Sequence, residues 1–295
     1  MRYQVEHQTK YQYDSPVSQS QQLLHMLPRE TVYQHCLAHT LLCEPVPAEQ
    51  SSRLDFLGNR NDYLTILAPH QTLLVISRFT VELQARPRFP ALIQGPSWEQ
   101  VRWMLRTQAT QHLDATGFMY STSKVKCSEP LATFARQSFT PDRPLLEAVM
   151  ALTQHIYREF EFDPQATDVA TPLDEVLRGK RGVCQDFAHL MIGALRSLGL
   201  ACRYVSGYIL THPPAGQPRL VGADASHAWV SVYCPLNGWV DFDPTNNCMV
   251  QQEHITVAWG RDFNDVTPMR GVVLGGGKQH LKVSVTVTPL TTVAA

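Results

Sequence analysis

The sequence predicts an α+β fold: an antiparallel β-sandwich or barrel over residues 1–85, then helices followed by antiparallel strands over residues 86–295. Three observations carry this. Residues of alternating character, cut by turn formers, dominate the first 84 positions; helical spacing of apolar residues governs the middle of the chain; period two returns after residue 202.

In the first segment Tyr3, Val5, His7, Thr9, Tyr11 and Tyr13 alternate strictly, which places them on one face of a strand. Further strands are expected at Gln21–Leu27, Cys36–Glu44, Tyr63–Leu67 and Leu73–Leu83. Asp14-Ser15-Pro16, Pro45-Val46-Pro47 and Gly58-Asn59 stand between them as breakers. No titratable cluster marks this part, so its expected role is structural or substrate-restricting.

Pro87, Pro90 and Pro96 then lead into a short helix at Trp98–Gln108, with a polar loop at Met119–Lys126. A stronger helix covers Pro144–Phe160, where Leu145, Val149, Leu152, Ile156 and Phe160 fall on one face; Pro144 suits the first turn and Asp142 the cap. Leu173–Leu177 predicts another helical turn. From Cys184, apolar residues recur at Phe187, Ala188, Leu190, Met191, Ala194, Leu195 and Leu198, the intervals of a core-facing helix that Gly199 closes. Strands follow at Cys202–Thr211, Ser226–Tyr233, Gly238–Phe242, His254–Ala258 and Leu281–Pro289. Pro235–Gly238 reads as a hairpin turn, and Pro213–Ala223 and Gly260–Gly277 as loops that shape a pocket. Gly275–Gly277 precedes no good helix and so reads as a flexible connection, not a phosphate cradle.

Composition narrows the function classes. With 25 basic and 26 acidic residues the chain lacks the charge footprint of a nucleic-acid or anionic-membrane binder. The N-terminus shows no apolar run of a signal peptide, and no stretch approaches the ~18 apolar residues needed to span a bilayer. The seven cysteines are widely spaced and form no C-x-x-C pair. A reduced, cytoplasmic setting is therefore expected, with no disulfide framework. No H-E-x-x-H or close His/Cys cluster suggests a metal.

The chemistry centres on Cys184, at the head of its helix and at the edge of the apolar arc. Helix N-terminal N–H groups favour a thiolate, and Arg178, Lys180 and Arg181 add positive charge nearby, against the usual preference for acids there. The position equally suits a core cysteine, since free cysteine is among the most buried residue types. His227 lies on a strand face with Trp229 and Ser231, and Asp243 ends the next strand before Pro244. A hairpin can set an acid beside a histidine on its partner strand. Thiol, imidazole and carboxylate could then meet at a helix–sheet seam, although His227 also reads as a partly buried structural histidine and Asp243 as a turn residue.

G-V-C-Q-D-F-A-H-L-M at 182–191, R-Y-V-S-G-Y at 203–208, S-H-A-W-V at 226–230 and W-V-D-F-D-P-T-N-N at 239–247 resemble the transglutaminase-like superfamily, and within it a bacterial branch assigned as cysteine proteases. H-Q-T-K-Y-Q-Y at 7–13, M-L-P-R at 26–29 and D-F-L-G-N at 55–59 resemble that branch's β-rich N-terminal domain. The resemblance implies a papain-like core after residue 85, with Cys184 as nucleophile, His227 as general base and acid, and Asp243 as the orienting acid. Asp241, two residues earlier on the same strand face, is the alternative acid. An oxyanion hole would use the Cys184 backbone N–H and a second donor, with Gln185 and Trp229 as candidates. The implied reaction is hydrolysis of a peptide or isopeptide-like amide in a protein or peptide substrate through an acyl-thioester. The alternatives are transfer of the acyl group to an amine, or a non-catalytic binding module that keeps the fold. Animal relatives need calcium, but no EF-hand-type loop occurs here, so no cofactor is expected.

Overall fold

The computed structural model describes residues 1–88, 95–168, 171–211 and 226–290. The expected Pro213–Ala223 loop lies outside the described residues.

The first sheet is built around one strand, β1 (Arg2–Leu24), flanked by β2 (Gln34–Glu44), β3 (Glu49–Leu54), β4 (Arg60–Ile66) and β5 (His70–Leu83) in the order β2-β5-β1-β4-β3. The Asp14-Ser15-Pro16 breaker does not end β1. It bends it, and the register with β5 slips between Gln12 and Val17. The two halves of β1 therefore pair with different neighbours: Arg2–Gln12 with β5, and Ser20–Leu24 with β4. Alternation changes phase just past the bend: Tyr3, Val5, His7, Thr9, Tyr13 and Val17 are buried before a second register slip between Val17 and Gln19, and Ser20, Gln22 and Leu24 after it.

Among the described residues, six α-helices follow: α1 (Trp98–Thr107), α2 (Leu113–Thr116), α3 (Glu129–Arg136), α4 (Leu145–Glu159), α5 (Leu173–Gly179) and α6 (Cys184–Ser197). Ser97 and Gln100 close a reciprocal capping box on α1. The expected cap at Asp142 does not form; Asp142 takes a left-handed turn (φ 60°), and Pro144 immediately precedes the first helical residue of α4. Two short strands, β6 (Glu161–Phe162) and β7 (Arg181–Gly182), pair in parallel beside the start of α6.

The second sheet contains β8 (Cys202–Ile209), β9 (Ser226–Cys234), β10 (Gly238–Asp243), β11 (Cys248–Met249) and β12 (His254–Gly260), in the order β11-β10-β9-β8-β12. Period two divides it cleanly. Cys202, Tyr204, Ala228, Val230, Val232, Val240 and Phe242 join α6 in the main core, together with Tyr3, Val5, Phe79 and Val81 of the first sheet. Arg203, Val205, His227, Trp229, Asp241 and Asp243 alternate with these residues on the strands.

The last strands, β13 (Met269–Gly275) and β14 (Gln279–Leu290), return to β1. Residues 269–290, expected within the papain-like unit that begins after residue 85, pair with β1 and complete the first sheet. A bent strand of 23 residues exposes long edges on both halves, and the C-terminal strands cover them. Gly275, Gly276 and Gly277 form a turn with φ of 92°, 89° and 65°, and hydrogen bonds with Ser15 and Pro16 hold it on the bend of β1. This turn and the strand before it replace much of the expected Gly260–Gly277 loop.

Arg196, buried on α6, ties these layers together. Its guanidinium donates to the carbonyls of Phe118 (2.8 Å), Tyr120 (3.1 Å), Cys202 (2.9 Å) and Arg261 (2.7 Å). Methionine would keep the apolar stem and strand those acceptors. Arg196→Met is expected to cost roughly 3 kcal/mol or more in denaturant unfolding; a loss under about 0.5 kcal/mol, the scale of an ordinary surface substitution, would show that water satisfies them.

Candidate active site

The start of α6 is pinned from both sides. Lys180 ends α5 in the left-handed region (φ 51°), and β7 then aligns the chain with β6. At the third helical position, the buried Asp186 carboxylate accepts the Val183 N–H (2.9 Å) and the Thr167 hydroxyl (2.6 Å). Gly182 is required by this closure, because a Cβ there would lie 2.7 Å from Asp186 Oδ2. Cys184, half-buried, is thereby fixed as the first residue of the helix.

The basic residues before it have a structural explanation. Lys180 pairs with Glu159, Arg181 pairs with Glu161 (3.1 Å) on the neighbouring strand, and Arg178 donates to the Asp174 carbonyl. Their charges are met by acids or carbonyls, so they are not a sign of thiol activation.

His227, the second residue of β9, reaches Asp243 at the end of β10, with Nε2 2.7 Å from Oδ2. The Cys184 side chain lies close enough to this imidazole to act on it and raise its pKa. With Nε2 committed to the carboxylate, Nδ1 is the nitrogen left for the thiol. Cys184, His227 and Asp243 are thus brought together in that order.

Asp243 is completely buried and receives five donors. Oδ2 takes His227, His254 Nε2 (3.0 Å) and Asn246 Nδ2 (2.7 Å); Oδ1 takes the backbone N–H groups of Thr245 (2.9 Å) and Asn246 (3.1 Å). Burial alone would raise its pKa, but the hydrogen bonds from His227 and His254 outweigh this and hold the carboxyl well below the usual range. Burial likewise works to lower the pKa of His227; the bonds and charges of Asp243 and Cys184 reverse it and push the imidazole well above its ordinary value. Such an environment favours an imidazolium held on the Asp243 carboxylate.

His254 and Asn246 are contributors that sequence reasoning missed. His254 lies in an expected strand and Asn246 in the W-V-D-F-D-P-T-N-N segment, yet nothing in either pattern shows that both converge on one oxygen. His227 Nε2, Asp243 Oδ2 and His254 Nε2 all lie within 4.8 Å of one another, a spacing that a divalent cation could span. Hydrogen bonds already join these atoms without an ion.

Trp229 backs the cluster, its ring 6.0 Å from that of His227 and edge-on to His254 at 5.3 Å. Gly207 makes room for it: a Cβ there would lie 2.6 Å from the indole and 2.1 Å from the Ile255 carbonyl. The Trp229 N–H is turned away to Asp241 Oδ2 (3.3 Å), which also receives Arg86 Nη1 at 2.7 Å. Two sequence alternatives fall here. Asp241 belongs to an ion pair with Arg86 and not to His227, and Trp229 has its donor engaged away from the thiol. Gln185 stands half-buried in the first turn of α6.

Comparison with known proteins agrees with this architecture. Residues 132–244 match the transglutaminase-like superfamily, and residues 3–82 match the bacterial transglutaminase-like N-terminal region. An uncharacterized protein of Mycobacterium tuberculosis is 38% identical over 297 residues, covering 98% of this chain and 93% of the relative. A protein-glutamine gamma-glutamyltransferase of Pseudomonas aeruginosa is 32% identical over 116 residues, 39% of this chain and 17% of that protein. The fold is shared with a crystal structure described as a candidate cysteine protease from Cytophaga hutchinsonii, at TM-score 0.78 and 21% identity, covering all of this chain and 92% of that one. By fold, by both matched regions and by a relative of nearly equal length, the chain belongs to the transglutaminase-like superfamily, with the N-terminal region of its bacterial members.

Proposed function

We propose that the protein is a cysteine-dependent amide hydrolase acting on peptide or isopeptide-like bonds of a protein or peptide substrate. The observation that carries this reading is the buried His227–Asp243 hydrogen bond at 2.7 Å, with Cys184 at the head of α6 close enough to act on the same imidazole. The Cys184 sulfur attacks the carbonyl carbon, the C–N bond breaks, and His227 gives its proton to the departing amine. Water then splits the thioester, releasing the acid and returning the proton to the thiol–imidazole pair. Asp243 positions the imidazole and stabilises its charged form. The Cys184 N–H, with Gln185 as second donor, serves the oxyanion. A cytoplasmic setting is part of the proposal, since all seven cysteines are free thiols.

The test is iodoacetamide alkylation across pH, mapped by mass spectrometry. Burial pushes Cys43 up to about 11 and Cys202 and Cys248 up to about 12, which makes them slow internal controls. Cys184 is expected to label at least tenfold faster than the controls at pH 6.5, with the advantage lost in His227→Ala. Labelling no faster than the controls would favour a binding module. The short similarity to a glutamyltransferase supports a second reading, transfer to an amine. A glutaminyl peptide offered with a tagged amine separates the two: adduct forming faster than free acid would replace hydrolysis by transfer.

A further inference from the structure

Away from the Cys184 line lies a cavity of about 420 Å³, bounded by the segment around Tyr33, by Arg86 and by Arg203, Trp239, Asp241 and Trp259 of the second sheet. Its volume is that of a small-ligand site. Arg203 is 9% exposed, and its guanidinium is stacked between two indoles, 3.6 Å from the centre of Trp259 and 4.2 Å from that of Trp239. Arg29 covers the opposite face of Trp259 at 3.5 Å. The stacking blocks both faces of the Arg203 guanidinium and leaves only its edge for hydrogen bonding. Along that edge Nε is buried and finds no partner among the described residues.

The charge balance points the same way. The cavity wall carries two guanidinium groups, Arg86 and Arg203, and one carboxylate, Asp241, which Arg86 bonds at 2.7 Å and whose charge also acts on Arg203; beyond the wall, Arg29 and Asp114 act on Arg203 with opposite signs. A buried arginine without a bonded anion is costly. One negative charge would balance it, and a planar carboxylate matches the in-plane fork of a guanidinium. A phosphate dianion would overshoot the balance.

We propose that this cavity binds the carboxylate of a ligand with an apolar or aromatic body, the acid group meeting the edge of Arg203 and the body lying against Tyr33 and the two tryptophans. The site is separate from the Cys184 line and does not depend on the hydrolase reading.

Titration of the full chain with 3-phenylpropionate, followed by calorimetry and tryptophan fluorescence, tests it. Saturable one-to-one binding is expected, at least tenfold weaker for 3-phenylpropionamide and for Arg203→Lys, which keeps the charge but not the fork. If Arg203→Lys does not fold, Arg86→Met serves: Asp241 then neutralises Arg203, and the acid is expected to bind at least fivefold more weakly. Cys184→Ala should bind as the wild type does. In that variant, N-acetyl-Ala-Phe against its C-terminal amide distinguishes a peptide terminus from a free acid, and preference for either acid form supports the site. Equal binding of acid and amide, indifference to both arginine changes, or loss of binding in Cys184→Ala would overturn it.

Discussion

Asp243→Asn is expected to slow alkylation of Cys184 at pH 6.5 by ten- to a hundredfold and to move its pH profile toward that of an ordinary thiol. The substitution keeps the shape and removes the charge that raises the His227 pKa. It also inverts one hydrogen-bonding position. Oδ2 and Oδ1 both accept, the first from three side-chain groups and the second from two backbone N–H groups, so an amide nitrogen on either side faces donors. Each pKa unit lost by the imidazole is worth about 1.4 kcal/mol of its hold on the proton. A purely structural role for Asp243 would lower unfolding stability without moving the inflection of the profile. Wild-type behaviour of Asp243→Asn in both measurements would remove Asp243 from the proposed reaction. His254→Gln leaves the carboxylate and the His227 bond in place, and its expected effect is correspondingly smaller, within about fivefold.

The elements near the thiol were legible because local rules operate there without conflict. The helix from Cys184 to Ser197 and the strands bearing His227 and Asp243 follow directly from spacing, and the structure places them within a residue or two of expectation. The return of residues 269–290 to the first strand was not legible, since strand pairing between the two ends of the chain, from Leu24 with Met269 to Arg2 with Leu290, leaves no periodic trace. The breaker Asp14-Ser15-Pro16 misled for a related reason: proline ends a strand only where its missing N–H is needed, and a register slip removes that need. His254 escaped notice because its strand pattern is ordinary and its partner, Asp243, is fixed by tertiary packing. The basic residues before Cys184 misled in the opposite sense, because their acidic partners lie on α4 and β6. Spacing therefore identified which residues face a common seam, the resemblance preferred Asp243 to Asp241, and the packed sheet puts Asp243 against His227 and Asp241 against Arg86.

Two histidines away from the site should make the fold acid-labile. Burial pushes His7 and His189 down to about 4 each. His7 sits between the Tyr208 hydroxyl (2.7 Å) and Thr9 Oγ1 (3.2 Å), joining the first sheet to the second. His189 accepts the Phe263 N–H at Nε2 (3.1 Å) and lies against Tyr204, with Asp262 favouring its protonation and Lys124 and Arg196 opposing it. In the unfolded chain both imidazoles take up protons near 6.5. Between pH 6.5 and 4 the unfolded state thus binds more protons, and stability falls as pH falls. Full titration is worth roughly 3 kcal/mol per histidine, a large share of the 5–15 kcal/mol that holds a typical domain together. Asp243, whose folded pKa is depressed, adds a loss only below about 4. His227 acts at the other end: its raised pKa gives stability that is complete below about 6.5 and disappears as pH rises. Urea unfolding at intervals from pH 4 to 8 should show stability dropping steeply below 6.5. His7→Gln and His189→Gln, which keep a neutral polar group in each place, should each flatten that slope by about one proton. An unchanged slope in the double variant would mean that both imidazoles are protonated in the fold, and that its acid sensitivity comes from other groups, the carboxylates together with the half-buried His39 and the buried His25, whose pKa values burial also lowers.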